Sequence, residues 1–133
     1  MPSASGQNVT RRPPRLDASS RIALVAPAGP LLDRDDLQRA CDLCRALGHE
    51  PLPSSHAQHR YGYLAGSDEG RVADLNTALG DGRVDAIWCI RGGYGVTRIL
   101  HQVDVNAFAR RPKPVIGFSD ITALLNALTR ATG

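Results

Sequence analysis

From residue 21 onward, short apolar runs alternate with longer segments in which apolar residues recur at helical spacing. This alternation predicts βα units around a parallel sheet. The predicted strands cover residues 22–26, 49–52, 84–90 and 114–117. The predicted helices cover residues 33–47, a segment capped by Ser67 or Asp68 that ends at Gly80, a segment following Gly95, and residues 104–109 and 120–130. The pattern therefore predicts an α/β fold, an open parallel sheet with flanking helices.

Composition narrows the class of protein without changing this fold. The chain has 133 residues, of which 42% are hydrophobic, enough for one domain with a buried core and no stabilising disulfide or metal. Its formal net charge of +3 owes much to Arg11, Arg12 and Arg15, near the N-terminus. A basic face for nucleic acid is a poor explanation of that charge, and we expect no nucleic-acid partner.

Residues 1–20 combine prolines, serines and basic residues without the apolar stretch of a secretory signal, so we predict a disordered leader there and a folded domain over 21–133. We expect no membrane span. Three cysteines are too few for a disulfide framework, which favours a reducing, cytoplasmic location. Cys41 and Cys44 have the spacing of half a zinc site, but no second half follows. Core packing is the better explanation, and we expect neither metal nor cofactor.

The segment 115–121 carries the most specific chemical signal. A short apolar run breaks at Gly117-Phe118-Ser119-Asp120 and then continues at helical spacing. A serine at such a sharp strand-to-helix turn resembles a nucleophile elbow, in which the amide of the next residue can face a developing oxyanion. Ser119 could instead be the N-cap of the last helix, because serine is a favoured capping residue. Ile121 also stands where the Gly-x-Ser-x-Gly pattern of α/β-hydrolases has a second glycine.

A second turn, Arg91-Gly92-Gly93-Tyr94-Gly95, follows the strongest predicted strand and opens a helix. Such a turn exposes backbone amides at the carboxyl edge of the sheet, where open α/β folds place their ligands. A dinucleotide fingerprint would need a third glycine where Arg98 stands, and no phosphate-binding loop occurs elsewhere. A tight turn without any function is the remaining alternative.

Four ordered segments together resemble the LD-carboxypeptidase family, serine peptidases that trim muropeptides and that include the microcin C immunity peptidase. These segments are residues 26–30, residues 65–69 with Arg71 and 74–76, residues 90–95, and residues 117–120. The resemblance covers about residues 21–133 and implies a flavodoxin-like or class I glutamine-amidotransferase-like N-terminal α/β domain followed by a smaller C-terminal domain. It also implies a small peptide-like substrate and the homodimer that the family commonly forms.

The resemblance implies a serine, glutamate and histidine triad in which only the serine maps here, to Ser119. Its oxyanion donors would be the backbone amides of Asp120 and of the Gly92-Gly93 turn, while the glutamate and histidine belong to the C-terminal domain, which this sequence lacks. The upstream histidines have simpler solvent-facing roles and carry no motif of a general base; they are His49, His56, His59 and His101.

Two hypotheses follow from the sequence. In the first, the chain is the nucleophile-bearing domain of an LD-carboxypeptidase that releases a terminal D-alanine from a muropeptide tetrapeptide through an acyl-enzyme on Ser119, incomplete and inactive by itself. In the second, it is a non-catalytic α/β binding domain or a remnant. A segment carrying the glutamate and histidine, encoded downstream or in a second chain, would separate them.

Overall fold

The computed structural model describes residues 10–133, and residues 1–9 lie outside the described part. Four strands form one parallel sheet in the order β2-β1-β3-β4, namely β1 (Arg21–Val25), β2 (Glu50–Pro53), β3 (Ala86–Cys89) and β4 (Val115–Ile116). Three predicted strands are therefore parallel neighbours, as the alternation of apolar runs indicated. The predicted open α/β fold is confirmed.

Five α-helices connect and flank the strands among the described residues: α1 (Asp36–Ala46), α2 (Asp68–Gly80), α3 (Val96–Ile99), α4 (Val105–Arg110) and α5 (Thr122–Thr132). Short 3₁₀ turns extend α3 over Leu100–Gln102 and precede α5 over Ser119–Ile121. The predicted caps are largely in place. Ser67 accepts a hydrogen bond from the amide of Gly70, and Gly48 follows α1 with a φ of 87°.

Helix α1 begins three residues later than the sequence predicted. The carboxylate of Asp36 accepts hydrogen bonds from the amides of Leu32 (3.1 Å) and Asp33 (2.9 Å). These bonds fold residues 32–35 into a turn that leads to the helix, and an acidic side chain at this end also suits the helix dipole. The periodicity of the apolar positions was correct, and only the boundary moved.

The sheet has a different core on each face, because side chains alternate along the strands. On one face Ala23, Val25 and Ile87 pack against α2, α3 and α5. On the other face Ile22 and Leu24 pack with Cys41 and Cys44 of α1. Both cysteines are buried, as the core-packing explanation predicted.

The described part of the leader, residues 10–20, contains no helix or strand, although Leu16 packs against the α1 side of the core. Disorder over residues 1–20 stays a prediction, because residues 1–9 lie outside the described part. None of the helices in the described part is both long and apolar enough to span a membrane.

Candidate active site

Ser119 lies directly beyond β4 at the carboxyl edge of the sheet, in a backbone conformation that serine rarely adopts. Its φ is 57°, in the left-handed region, where a side chain other than glycine, asparagine or aspartate costs free energy. The last helix begins two residues later than predicted, because residues Ser119–Ile121 form a 3₁₀ turn before α5 begins at Thr122. The turn has the sharpness that the elbow hypothesis required.

The hydroxyl of Ser119 is exposed and is not used as a helix cap. Residue Ile121 precedes α5 and no side chain caps the helix. Across residues 10–133, the Oγ of Ser119 makes no hydrogen bond. The capping alternative is therefore wrong, and the hydroxyl is free for another role.

The glycine turn after β3 lies against Ser119. A side-chain carbon at Gly92 would lie 2.7 Å from Cβ of Ser119 and 3.1 Å from its Oγ, so only glycine fits there without displacing the serine. Gly92 is buried, whereas Ser119 is exposed beside it. The structure thus brings together two of the residues that the sequence selected.

The loop after β1 completes this edge. The carbonyl of Gly92 accepts a hydrogen bond from the amide of Gly29 at 2.9 Å. Gly93 has a φ of 107°, and a side-chain carbon there would lie 3.1 Å from Cα of Gly29. Close backbone approach therefore links three consecutive turns at the carboxyl edge.

Three backbone amides near Ser119 have no hydrogen-bond acceptor within the described residues: those of Gly92, Gly93 and Asp120. An unpaired amide beside an exposed hydroxyl can donate to an oxygen of a bound molecule. The glycine turn is therefore not tied into α3 through these amides. An oxyanion role for the three amides stays a prediction.

The side chains of Asp120 and Arg71 form hydrogen bonds with the backbone of the same turns. The carboxylate of Asp120 accepts a hydrogen bond from the amide of Val96 at 2.8 Å. The guanidinium of Arg71, fully buried on α2, donates to the carbonyls of Pro27 (2.8 Å) and Gly95 (2.9 Å). Neither contact was predicted, because they join residues 24 to 44 positions apart in sequence.

Arg71 also pairs with Asp68, whose carboxylate bonds Arg98 at 2.9 Å. The hydrogen bond from Arg98, together with the positive charges of both arginines, lowers the pKa of Asp68 below its ordinary value. The carboxylate is thus held ionised beneath the glycine turn. It partly balances the buried charge of Arg71.

The histidines do not gather around Ser119. His56 bonds Asp74 through Nδ1 at 2.7 Å, and its ring meets that of His59 edge-on with centroids 4.8 Å apart. The expectation of a simple solvent-facing role was wrong for His56, which is half-buried. This pair belongs to the loop after β2, and three strand spacings of about 4.8 Å each separate β2 from β4. The hydrogen bonds of His56 within the described residues go to Asp74 and not to Ser119.

Concave surface lies beside the serine rather than around it. A groove of about 470 Å³ is lined by Leu31, Trp88, Ile90 and Phe118, among others. Phe118, adjacent to Ser119, is 64% exposed. A cavity of about 510 Å³ lies against β2 and α2 and contains none of the predicted site residues. Ser119 lines neither the groove nor the cavity.

Metal ligation has no support in the described part of the chain, where no three histidine, cysteine or acidic side chains form a cluster. Cys89, at the end of β3, is buried and burial raises the pKa of its thiol to about 12. The thiol is therefore protonated at neutral pH and does not compete with the serine as a nucleophile.

Comparison with known proteins gives a consistent result. The LD-carboxypeptidase N-terminal domain matches residues 22–133. A Streptomyces coelicolor protein that carries a carboxypeptidase name is 44% identical over 126 residues, covering 92% of this chain and 40% of its own length. The murein tetrapeptide carboxypeptidase of Pseudomonas aeruginosa is 40% identical over 111 residues, covering 83% of this chain and 36% of its own.

Solved structures agree with the sequence comparison. The muramoyltetrapeptide carboxypeptidase from Oxalobacter formigenes superposes with a TM-score of 0.75 at 33% identity, over 84% of this chain and 37% of that one. The microcin C7 self-immunity protein has the same fold, with a TM-score of 0.84 at 22% identity, over 94% of this chain and 37% of that one. The chain thus spans about two fifths of the length of the relatives it matches.

Proposed function

Since the chain belongs to the LD-carboxypeptidase family, as its N-terminal domain, we propose that it supplies the nucleophile of a serine-type LD-carboxypeptidase. The proposed substrate is a muropeptide tetrapeptide and the proposed product is its terminal D-alanine. The names of the Pseudomonas and Oxalobacter relatives, which specify murein and muramoyl tetrapeptides, support this substrate class.

The observation that carries the proposal is the position of Ser119. Its hydroxyl is exposed and unbonded on a strained turn, and it touches a glycine turn whose amides have no acceptor in the described residues. On this proposal a backbone carbonyl of the substrate lies over Oγ and accepts hydrogen bonds from the amides of Gly92, Gly93 and Asp120. This is the arrangement that stabilises a tetrahedral intermediate in acyl transfer.

The proposed reaction has two halves. Oγ of Ser119 attacks the carbonyl carbon of the peptide bond before the terminal D-residue, its proton passes to a base, and the base returns that proton to the departing amine. An ester on Ser119 remains. A water molecule, deprotonated by the same base, then attacks the ester, and the serine leaves with the proton.

The proposed reaction also needs a general base that takes the proton of the Ser119 hydroxyl. Within residues 10–133 no titratable side chain bonds its Oγ, and a serine hydroxyl is a weak nucleophile without such a partner. We propose that a glutamate and histidine outside these residues, in the family's second domain, complete the triad. On this proposal residues 1–133 by themselves are inactive.

The unbonded hydroxyl also supports the alternative that the chain is a non-catalytic α/β binding domain. In that case the turns at the carboxyl edge would still bind a peptide-like molecule, but no ester would form on Ser119. The two proposals therefore differ in whether Ser119 is needed for turnover.

The test measures release of D-alanine from a muropeptide tetrapeptide by two preparations. One is residues 1–133, and the other joins residues 22–133 to the remaining segment of the Pseudomonas aeruginosa murein tetrapeptide carboxypeptidase. We expect no appreciable turnover from the first and turnover from the second. Ser119→Ala should lower the rate of the fused protein at least about 1,000-fold, because loss of a triad member leaves only binding and oxyanion stabilisation.

Ser55→Ala is the matched control, since Ser55 is an exposed serine in the loop after β2 and should not affect turnover. Robust release by residues 1–133 that depends on Ser119 would show that a base lies within this chain. A folded fusion protein without Ser119-dependent release would favour the binding domain.

A further inference from the structure

A single peptide group, the one between Gly95 and Val96, is held from both ends by charged side chains. Its carbonyl accepts a hydrogen bond from Nη1 of Arg71 at 2.9 Å. Its N–H donates to Oδ2 of Asp120 at 2.8 Å. A peptide group is planar, so fixing both its polar atoms fixes the orientation of the turn that contains it.

The two side chains connect this peptide group to the other turns of the edge. Asp120 follows Ser119 in sequence, so its carboxylate ties the serine turn to the glycine turn. The same Nη1 of Arg71 also donates to the carbonyl of Pro27 at 2.8 Å, which ties the glycine turn to the loop after β1. Arg71 and Asp120 therefore join the three turns around Ser119.

Burial makes these contacts consequential. The side chain of Arg71 is fully buried, and Val96 is buried with no exposed surface. Hydrogen bonds to charged groups are strong in such surroundings, because water does not compete for the donor or the acceptor. Loss of Asp120 leaves the Val96 N–H without an acceptor among the described residues, whereas loss of Arg71 leaves the Gly95 carbonyl only the longer bond from the amide of Arg98, at 3.2 Å.

Gly95 is required by the same arrangement. Its φ is 128°, which side chains other than glycine rarely adopt. A side-chain carbon at Gly95 would lie 2.8 Å from Nη1 of Arg71 and 2.7 Å from a methyl carbon of Leu64. Because Gly95 has no side chain, Arg71 can reach its carbonyl. The glycine therefore has a role beyond turn formation.

We propose that Arg71 and Asp120 are positioning residues, which orient the Gly95–Val96 peptide group and thereby hold the Gly92-Gly93 amides against Ser119. This inference rests on the proposed function. The two side chains act through the backbone, so their loss should lower the rate of the chemical step more than the affinity for substrate.

The test compares Asp120→Leu with Asp120→Asn in the fused protein that shows Ser119-dependent turnover. Leucine has a similar shape but no acceptor, whereas asparagine retains an oxygen that accepts from Val96. We expect Asp120→Leu to lower kcat about 30-fold to 100-fold with KM changed less than about threefold, and Asp120→Asn to lower kcat about fivefold or less. Asp42→Leu, an exposed aspartate on α1, is the matched control.

Amide hydrogen exchange in residues 1–133 gives a second measurement that needs no activity. The Val96 amide should exchange about 10-fold to 100-fold faster in Asp120→Leu than in the unaltered chain, and much less so in Asp120→Asn. Melting temperatures of all variants check that they fold. The same comparison in Arg71→Met tests the carbonyl side of the peptide group.

The outcomes separate the two proposals. If turnover is Ser119-dependent but Asp120→Leu and Asp120→Asn have equal kcat, or if only KM changes, the positioning role is overturned and the proposed function stands. If Ser119→Ala leaves turnover unchanged, the proposed function is overturned. Unchanged Val96 exchange in Asp120→Leu overturns the inference in either case.

Discussion

The two ends of the parallel sheet are held together by different forces. At the amino ends of the strands two arginines with exposed side chains form charged pairs, Arg21 with Glu50 at 3.3 Å and Arg83 with Asp81 at 2.8 Å. One buried charge also lies there, Lys113, which donates to the carbonyls of Ala78 and Asp81 at 3.0 Å. At the carboxyl ends, backbone groups approach one another directly, and the charged groups that assist them, Arg71 and Asp120, are buried or half-buried. Solvent screens the exposed arginine pairs, whereas it does not screen the buried contacts of the carboxyl edge.

Cavity volume does not distinguish the two ends, because the groove of about 470 Å³ beside Phe118 nearly equals the cavity of about 510 Å³ at β2 and α2. The cavity of about 510 Å³ lies beside β2 and α2, and the exposed pairs Arg21–Glu50 and Arg83–Asp81 contribute to its lining. The serine lies at the other end, where space is so limited that Gly92 and Gly95 cannot carry a side chain. A constrained backbone, rather than a large volume, marks the candidate active site.

The largest effect on turnover is expected from adding a methyl group at the carboxyl edge of the sheet. Gly92→Ala places a carbon 2.7 Å from Cβ of Ser119, so the serine or the glycine turn must shift. We expect turnover of the fused protein to fall about 100-fold or more, as it does when one oxyanion donor is lost. The measurement is kcat for D-alanine release.

Gly80→Ala is the control for this substitution. The added carbon would lie 4.0 Å from Cβ of Ala107, an ordinary contact, and alanine favours the helix more than glycine does. Turnover of Gly80→Ala should equal that of the unaltered protein. Normal activity in Gly92→Ala would mean that contact with the glycine turn is dispensable.

A smaller effect, on the free energy of unfolding, is expected when one arginine at each end of the sheet is replaced. Arg71→Met leaves the buried carbonyl of Pro27 without its donor and that of Gly95 with only the bond from the amide of Arg98. Breaking a buried charged contact costs about 3 kcal/mol. Arg83→Met removes a pair whose arginine is exposed and should lower the free energy of unfolding in a urea titration far less than Arg71→Met does. Equal destabilisation by the two substitutions would contradict the contrast between the ends.

The smallest expected effect is a pH dependence at the amino end. Hydrogen bonding to Arg83 lowers the pKa of Asp81 from 3.8 to about 2. Because the folded pKa is the lower one, the stabilisation is complete above about pH 4 to 5 and is lost as the pH falls towards 2. The melting temperature of the unaltered chain should exceed that of Asp81→Asn at pH 5, and the gap should narrow by pH 2. A gap that does not vary with pH would show that the pair does not account for it.

Local pattern was enough to predict the sheet and both turns. The apolar runs at residues 22–26, 84–90 and 114–117 and the glycines that follow two of them are signals within a few residues. The contacts that fix the turns are not local. Arg71 bonds carbonyls 24 and 44 positions away, and His56 bonds Asp74 across 18.

Burial explains why these contacts escaped prediction. An arginine or an aspartate in a sequence is most often exposed, and nothing around Arg71 in the chain shows that the helix will turn it inward under the glycine turn. The boundary of α1 was missed for a related reason, since the carboxylate of Asp36 can bond the turn before it or start the helix. Tertiary packing decides both cases.

The strained backbone of Ser119 also bears on the stability of the domain. Its φ of 57° costs about 1 kcal/mol or more, a cost that glycine would not bear. Glycine would in turn raise the conformational entropy of the unfolded chain, which costs a similar free energy. The domain therefore carries the strain of this turn with little net loss of stability relative to a glycine at the same position.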